Sequence, residues 1–506
     1  MAIQSAYNVV VPLDGARDGG WYALFNPLAG SLDVIDEVVA RGLSTLGGNN
    51  GERLVSLRSG SAKAKPTLAA GVEQYLDRRG YLFESADEER RQSRILYEEM
   101  LSFHRRSVRQ PLVVIPTYKC DLRCSYCWQR LYRLDSPVMD DETLRNLFAA
   151  LPAFVEIESP ERVDLVLFGG EPLQDIPELR AVVVRALRWG REQGFSTKVI
   201  TNGVGLAGAM PSLEGLVDVV QVTLDGPPEV HRRRRPLPGG DSFTPAAAGI
   251  DRAAAAGIRV NVRVNVAEAN LPRLPELAEV ARQAGWLESG NVVLHLAPVK
   301  NHNPKKSTPE ESTLLDQVLE LVESDSRMEV FDLSGFPGIK YFTGFKESGL
   351  FSLHRFFNCE AQMNFYAFDL FGDVYPCWDS AGIRSLAVGR FLPEIEIDPE
   401  RLAQWRKRTS LDITECGGCP SSPHCGGGCQ FLSFEHTGRF DAPSCDSILA
   451  GYERSIQAHS EWLVERAREG DHAVGLVAGG AVVHPVLHQF GLLEREAVSS
   501  PPLSCE

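Results

Sequence analysis

Three cysteines, Cys120, Cys124 and Cys127, stand at C-x3-C-x2-C spacing directly after the apolar run Pro111-Leu112-Val113-Val114-Ile115-Pro116. Thiolates so spaced are metal ligands, and three are one short of the four that close a zinc or iron–sulfur site. A metal left one ligand short can take a small molecule in its open position; a structural zinc loop is the competing reading. Seven further cysteines follow: Cys359 and Cys377 with Gly372 between them, then Cys416-x2-Cys419-x5-Cys425-x3-Cys429, then Cys445. A C-x2-C pair alone can hold zinc. Seven ligands on loops carrying Gly417, Gly418, Gly426, Gly427 and Gly428 suit two clusters better than one ion. Cys505 fits no ligand pattern and reads as a spare thiol.

Polar groups also gather where apolar runs end. Phe168-Gly169-Gly170-Glu171 offers two glycines that let a backbone approach a ligand and a carboxylate that can hold an ammonium. Ile200-Thr201-Asn202-Gly203 repeats the theme, as does Val222-Thr223-Leu224-Asp225-Gly226, followed by His231 and Arg235. The basic run Arg232–Arg235 reads equally as a solvated loop.

These runs need a scaffold, and the segment 108–330 supplies an α/β alternation. Strands are expected at Leu112–Ile115, Val163–Phe168, Thr197–Ile200, Val219–Leu224, Val260–Val266 and Val292–Leu296. Helices are expected at Asp141–Leu151, Pro177–Gly194, Pro211–Leu216, Thr244–Ala256 and Leu271–Ala284. Strand–helix alternation implies a parallel sheet with crossovers, and such sheets bind ligands at the C-terminal ends of their strands. The motifs fall there.

Together the cysteine loop, the Gly-Gly-Glu turn and the Thr-Leu-Asp-Gly run resemble the radical S-adenosylmethionine (SAM) enzymes, and the later cysteine array resembles their SPASM module. The resemblance covers roughly residues 110–450. It implies an α/β fold with a partial (β/α)6 radical SAM barrel and a C-terminal Cys-rich SPASM twin-cluster domain at 331–455. It implies that Cys120, Cys124 and Cys127 hold a [4Fe–4S] cluster whose open iron binds SAM, which is cleaved to methionine and a 5′-deoxyadenosyl radical. By the same resemblance, Gly169, Gly170 and Glu171 bind the methionine amino group, Thr201, Asn202 and Thr223 line the SAM site, and Arg235 pairs with the carboxylate. Tyr126 and Leu296 would meet the adenine. Two auxiliary Fe–S clusters are implied, one on Cys416, Cys419, Cys425 and Cys445, the other on Cys359, Cys377 and Cys429 with its fourth position open. In the sulfatase-maturing branch a carboxylate directly after the cysteine serves as base; here Trp378 intervenes and Asp379 is the candidate.

Ahead of the barrel, residues 1–107 contain no cysteine. Strands are expected at Asn8–Leu13 and Trp21–Phe25, a helix opening at Ser31 with Leu32, Ile35, Val38 and Val39 on one face, and a second helix around Val72–Arg79. Gly80–Phe83 reads as a wing strand and Asp87–His104 as a charged helix. The set resembles the winged-helix element with which peptide-maturing radical enzymes hold a leader peptide by strand addition; a scaffold domain is the plainer alternative. Residues 456–506 are read as a helix, Ile456–Arg468, an apolar hairpin and a mobile tail.

A net charge of −15 and the lack of a long basic run argue against nucleic acid. No signal peptide is visible, and Ala473–Val483 is too short and glycine-rich to span a bilayer. The expectation is a cytoplasmic metalloprotein in a reducing compartment. Its partners would be a precursor peptide and an electron donor such as flavodoxin or ferredoxin, and the expected product is a cross-linked peptide. A formylglycine-type maturase acting on a protein such as a sulfatase, and a non-catalytic metal-binding adaptor, are the rival readings.

Overall fold

The computed structural model describes residues 2–13, 20–47, 67–129, 136–302, 311–349, 355–445, 447–470 and 473–484. The front of the chain forms an antiparallel meander of β1 (Val9–Pro12), β2 (Trp21–Asn26) and β3 (Ser31–Asp36). The helix expected to open at Ser31 is therefore a strand. Asp36 ends it and caps the next helix, Glu37–Leu43, by accepting from Val39 N at 2.9 Å. The helices Ala70–Arg78 and Ala86–Ser107 follow, the second capped by Ser85. Between them Leu82–Phe83 pairs antiparallel with Ile3–Gln4, a two-residue ladder where a wing was expected.

The barrel strands are β4 (Gln110–Ile115), β5 (Val163–Leu167), β6 (Ser196–Thr201), β7 (Val219–Thr223), β8 (Arg259–Val266) and β9 (Val292–Pro298), each parallel to the next. Leu112–Ile115, Val199, Val220, Val222, Val260, Val262 and Val264 are wholly inaccessible to solvent, so β4 reads as a continuous apolar run and β8 as buried valines alternating with polar residues. Crossover helices at Asp141–Ala150, Pro177–Glu192, Leu206–Leu213, Phe243–Ala255 and Leu274–Gln283 cover the outer face. The third begins well before the expected Pro211, which lies inside it. A further short helix, Pro228–Arg234, was not foreseen.

The cysteine-rich module is not a separate sheet. Its strand β10 (Tyr366–Asp369) pairs parallel with β4, Asp369 opposite Ile115, and β11 (Asp373–Tyr375) turns back from it at Gly372, where φ is +81°. The single expected helix near the end is two, Ile448–Ala458 and Ser460–Glu469. Beyond them β12 (Gly475–Ala478) and β13 (Ala481–His484) form the expected hairpin, but β12 pairs parallel with β3 and completes the front sheet. No helix among the described residues is long and apolar enough to cross a membrane. Cys505 lies outside the described residues.

Candidate active site

The three-cysteine loop leaves the C-terminal end of β4 and is laid against neighbouring backbone. Arg123 N donates to Pro236 O at 2.9 Å and Ser125 N to Arg234 O at 3.0 Å. On the other side Gly170 N donates to Thr117 O and Glu171 N to Lys119 O. A Cβ on Gly170 would lie 2.1 Å from Lys119 O, and one on Gly169, with φ of +142°, 2.4 Å from Thr117 O. The loop's own backbone thus requires these glycines.

Glu171 is fully withdrawn from solvent. Its Oε1 accepts from Thr201 Oγ1 at 2.6 Å and Leu173 N at 2.8 Å, and its Oε2 from Asn202 N at 2.6 Å. Asn202 Nδ2 in turn donates to Asp121 Oδ1 at 2.6 Å and lies 4.0 Å from Cys120 Sγ. Burial, and then the nearby Asp121, push Glu171 up to about 7. Neither carboxylate has an ion-pair partner among the described residues, so the loop presents an anionic corner that suits a cationic ligand.

Tyr126 anchors the opposite side. Its hydroxyl donates to Asp225 Oδ2 and accepts from Arg235 Nη1 at 2.6 Å and Asn265 Nδ2 at 3.1 Å, while Arg234 lies over its ring at 5.1 Å. Asp225 Oδ1 also accepts from Asn265 N at 3.1 Å. Thr223 shares a register position with Arg263 on the next strand. Leu296, expected at the adenine, is in register with Val264; both are wholly buried in the hydrophobic core. Alternation along β9 therefore places it on the helix-covered face.

Electrostatic influence runs among the cysteines. Cys120, Cys124 and Cys127 act electrostatically on one another in sequence, and the buried Arg235 acts on Cys124. Cys377 is acted on by Cys429 and Cys359, and Cys416 by Cys419 and Cys445. Arg408 is felt by Cys416, Cys425, Cys429 and Cys359, members of both later sets. It donates to five carbonyls, Phe440 at 2.7 Å, Gly426 at 3.2 Å, Gly428 at 3.0 Å, Gly427 at 2.6 Å and Ala442 at 2.9 Å, so one side chain holds the glycine loop in place. Cys120, Cys124, Cys127, Cys359, Cys377, Cys416, Cys419 and Cys429 are free thiols. Among the described residues no three His, Cys, Asp or Glu side chains close around one ion. A cubane spreads its thiolates over separate irons and needs no such convergence, so the donor sets fit Fe–S clusters.

Asp379 is buried and takes Lys300 Nζ at 2.6 Å. Burial alone would lower the Lys300 ammonium, but Asp379, Cys429 and Cys377 outweigh it and hold it raised. Trp378 packs edge-on against Phe168, at 5.1 Å between ring centres, tying the module to the turn after β5. A cavity of about 710 Å³ runs between the loop residues Ser125 and Tyr126, Lys300 at the end of β9, and His436 and Cys445 of the module. Sequence reasoning missed Asp121, Arg263, Asn265, Lys300 and Arg408. A signal existed for two of them, since Arg263 and Asn265 lie in the alternating Val/polar run of β8.

Fold and site fit a radical SAM domain. Residues 114–285 match the Radical SAM superfamily, so the chain carries a radical SAM domain. The cofactors of that class, SAM and a [4Fe–4S] cluster, are those the cysteine loop fits, and the seven later cysteines fit auxiliary Fe–S clusters. Pre-heme d1 synthase of Dinoroseobacter shibae (strain DSM 16493 / NCIMB 14021 / DFL 12) is 24% identical over 378 residues, covering 70% of this chain and 90% of that protein. Among solved structures, a histidine-tagged anSMEcpe with bound AdoMet matches with a TM-score of 0.52 at 16% identity, over 71% of this chain and 96% of that one. Native anSMEcpe with bound AdoMet and Cp18Cys peptide matches with a TM-score of 0.51 at 16% identity, over 71% of this chain and 99% of that one.

Proposed function

We propose that the protein matures a ribosomally made precursor peptide, taking a hydrogen atom from one side chain and installing an intramolecular C–C, C–O, C–N or thioether cross-link. The observation that carries this reading is the single sheet joining barrel and cysteine-rich module. β10 pairs with β4, which delivers the three-cysteine loop, and Asp379 and Trp378 meet Lys300 beyond β9 and Phe168 beyond β5, at the C-terminal ends of the barrel strands. The likeness in fold to a structure that holds the Cp18Cys peptide supports a peptide as substrate.

When bound, the cluster and SAM supply one-electron cleavage and a carbon-centred hydrogen acceptor; the chain supplies binding, orientation and exclusion of water. Glu171 and Asp121 would hold the ammonium of SAM, and Arg235 its carboxylate. Thr201, Asn202, Thr223 and Tyr126 would fix the nucleotide. Asp379, oriented by Lys300, would receive the proton released as the substrate is oxidised; Cys359, Cys377, Cys429, Cys416, Cys419, Cys425 and Cys445 would hold the auxiliary clusters that supply an electron acceptor. Residues 1–107 would hold the leader of the precursor in the cytoplasm, and a flavodoxin or ferredoxin would deliver the electrons.

The test is anaerobic incubation of the reconstituted enzyme with SAM, a strong reductant and the small peptide encoded beside its gene. Loss of two hydrogens, with fragmentation blocked between two residues, is the expected result. An unchanged peptide mass alongside active SAM cleavage, or a change confined to a single residue, would overturn the cross-linking assignment.

A further inference from the structure

Strand β8 carries polar side chains at alternate positions, Asn261, Arg263 and Asn265, between valines that are fully buried. Side chains alternate between faces along a strand, so these three point away from the helical layer. Arg263 sits in register between Thr223 on β7 and His295 on β9. The charges that act on it are those of Tyr126 and Asp225, on the side of the three-cysteine loop, and of Asp379, beside Cys377. It therefore lies between the two halves of the site.

This guanidinium lacks an anion of its own. Its Nε donates to Asn265 Oδ1 at 2.9 Å, and among the described residues the side chain makes no other hydrogen bond and no ion pair. The nearby carboxylates are committed elsewhere. Asp379 is paired with Lys300 at 2.6 Å, and Asp225 takes the Tyr126 hydroxyl and lies 3.5 Å from Arg234. Burial holds Arg263 below its ordinary pKa although Tyr126, Asp225 and Asp379 act to raise it. Arg263 is only partly exposed; a guanidinium so placed without an anion invites one, and its fork of donors matches a carboxylate in bidentate geometry.

We propose that Arg263 binds a carboxylate of the substrate inside the barrel, anchoring the acidic group next to the position that loses hydrogen. The proposal rests on the reading above only in taking the barrel interior as the place of the substrate. The other carboxylate that could reach the barrel is that of SAM. Arg235, which acts on Cys124, is a cation at the cysteine loop where that group must sit, whereas Arg263 is acted on from the module's side as well, by Asp379.

The probes are glutarate and its diamide, offered with SAM to the reconstituted protein and read by saturation-transfer NMR and thermal shift. Wild-type protein should prefer glutarate by about tenfold or more, the range of a charge-assisted hydrogen bond. Arg263→Gln should abolish the preference, Arg263→Lys should keep part of it, and SAM affinity should hold within about twofold in both. Apo Arg263→Gln should melt no lower than wild type, because it removes an unpaired charge. Equal binding of acid and diamide, a preference that survives Arg263→Gln, or a lower melting point would each overturn the proposal. So would a tenfold loss of SAM affinity in Arg263→Gln, which would assign the guanidinium to SAM instead. None of these readouts uses the peptide, so failure of the maturase assignment would be seen separately.

Discussion

Arg235 donates from Nη1 to the Tyr126 hydroxyl at 2.6 Å, joining the residue before Cys127 to the segment that backs the cysteine loop. The same hydroxyl donates to Asp225 and accepts from Asn265, so one oxygen ties the loop to the ends of β7 and β8. Tyr126→Phe leaves three buried polar groups short of a partner. The expected loss is about 1–3 kcal/mol of stability, read from urea unfolding, with a parallel fall in SAM cleavage. A variant as stable and as active as wild type would show the network to be dispensable.

Gly170→Ala tests whether the loop itself demands the glycine. A Cβ there meets Lys119 O at 2.1 Å, and backbone cannot swing aside as a side-chain tip can. The expected outcome is lower iron content after reconstitution, with the cysteines untouched. Gly208 is the control. It lies in the helix Leu206–Leu213 with nothing within 4 Å of an added Cβ, so Gly208→Ala should raise stability by about 0.5–1 kcal/mol and leave iron content alone.

The barrel was legible because its strands put valine, leucine or isoleucine at most buried positions, continuously from Leu112 to Ile115 in β4 and at alternate residues in β8, and the cysteine sets because their ligands are close in sequence. What escaped depends on distant partners. Ser31–Asp36 mimics a helix because the strand runs straight into one at Glu37, so Leu32, Ile35, Val38 and Val39 keep helical spacing across the junction. Asp33, which looks like an exposed residue, is buried against a cation from the end of a later helix. Nothing local marks β12 as a partner of β3, or β10 as the neighbour of β4. Lys300 and Arg408 belong to the site through contacts with Asp379 and with the carbonyls of the glycine loop, which no spacing announces.

Arg79 and Asp33 form a buried pair under the front sheet, Nε to Oδ2 at 2.9 Å, and Asp33 also accepts from Tyr75 at 2.6 Å and Tyr81 at 2.5 Å. Removing one partner of a buried pair leaves an uncompensated charge, worth about 3–5 kcal/mol. Arg79→Met should lower stability by that amount, seen as a shift in denaturation midpoint. Adding Asp33→Asn should recover part of the loss, since the remaining group is then neutral. Equal stability of wild type and Arg79→Met would mean that the tyrosines alone satisfy Asp33.

His231 supplies a pH dependence whose direction follows from its surroundings. The imidazole is sealed beneath Asp225 N, against Phe243. Burial first, and the charge of Arg235 second, push it from the usual 6.5 down to about 3. The unfolded chain takes up a proton near the usual value while the folded chain stays neutral. The stability His231 supports is therefore complete above about pH 6.5 and lost progressively as pH falls toward 3. Across that window the group contributes a slope of up to about 1.4 kcal/mol per pH unit. Replacing it by glutamine, whose carbonyl can still accept from Asp225 N, should flatten the acid limb of apo-protein stability by about that slope while changing stability little at pH 8. An acid limb equally steep in His231→Gln would show that the imidazole is protonated in the folded chain, or that other groups carry the acid response.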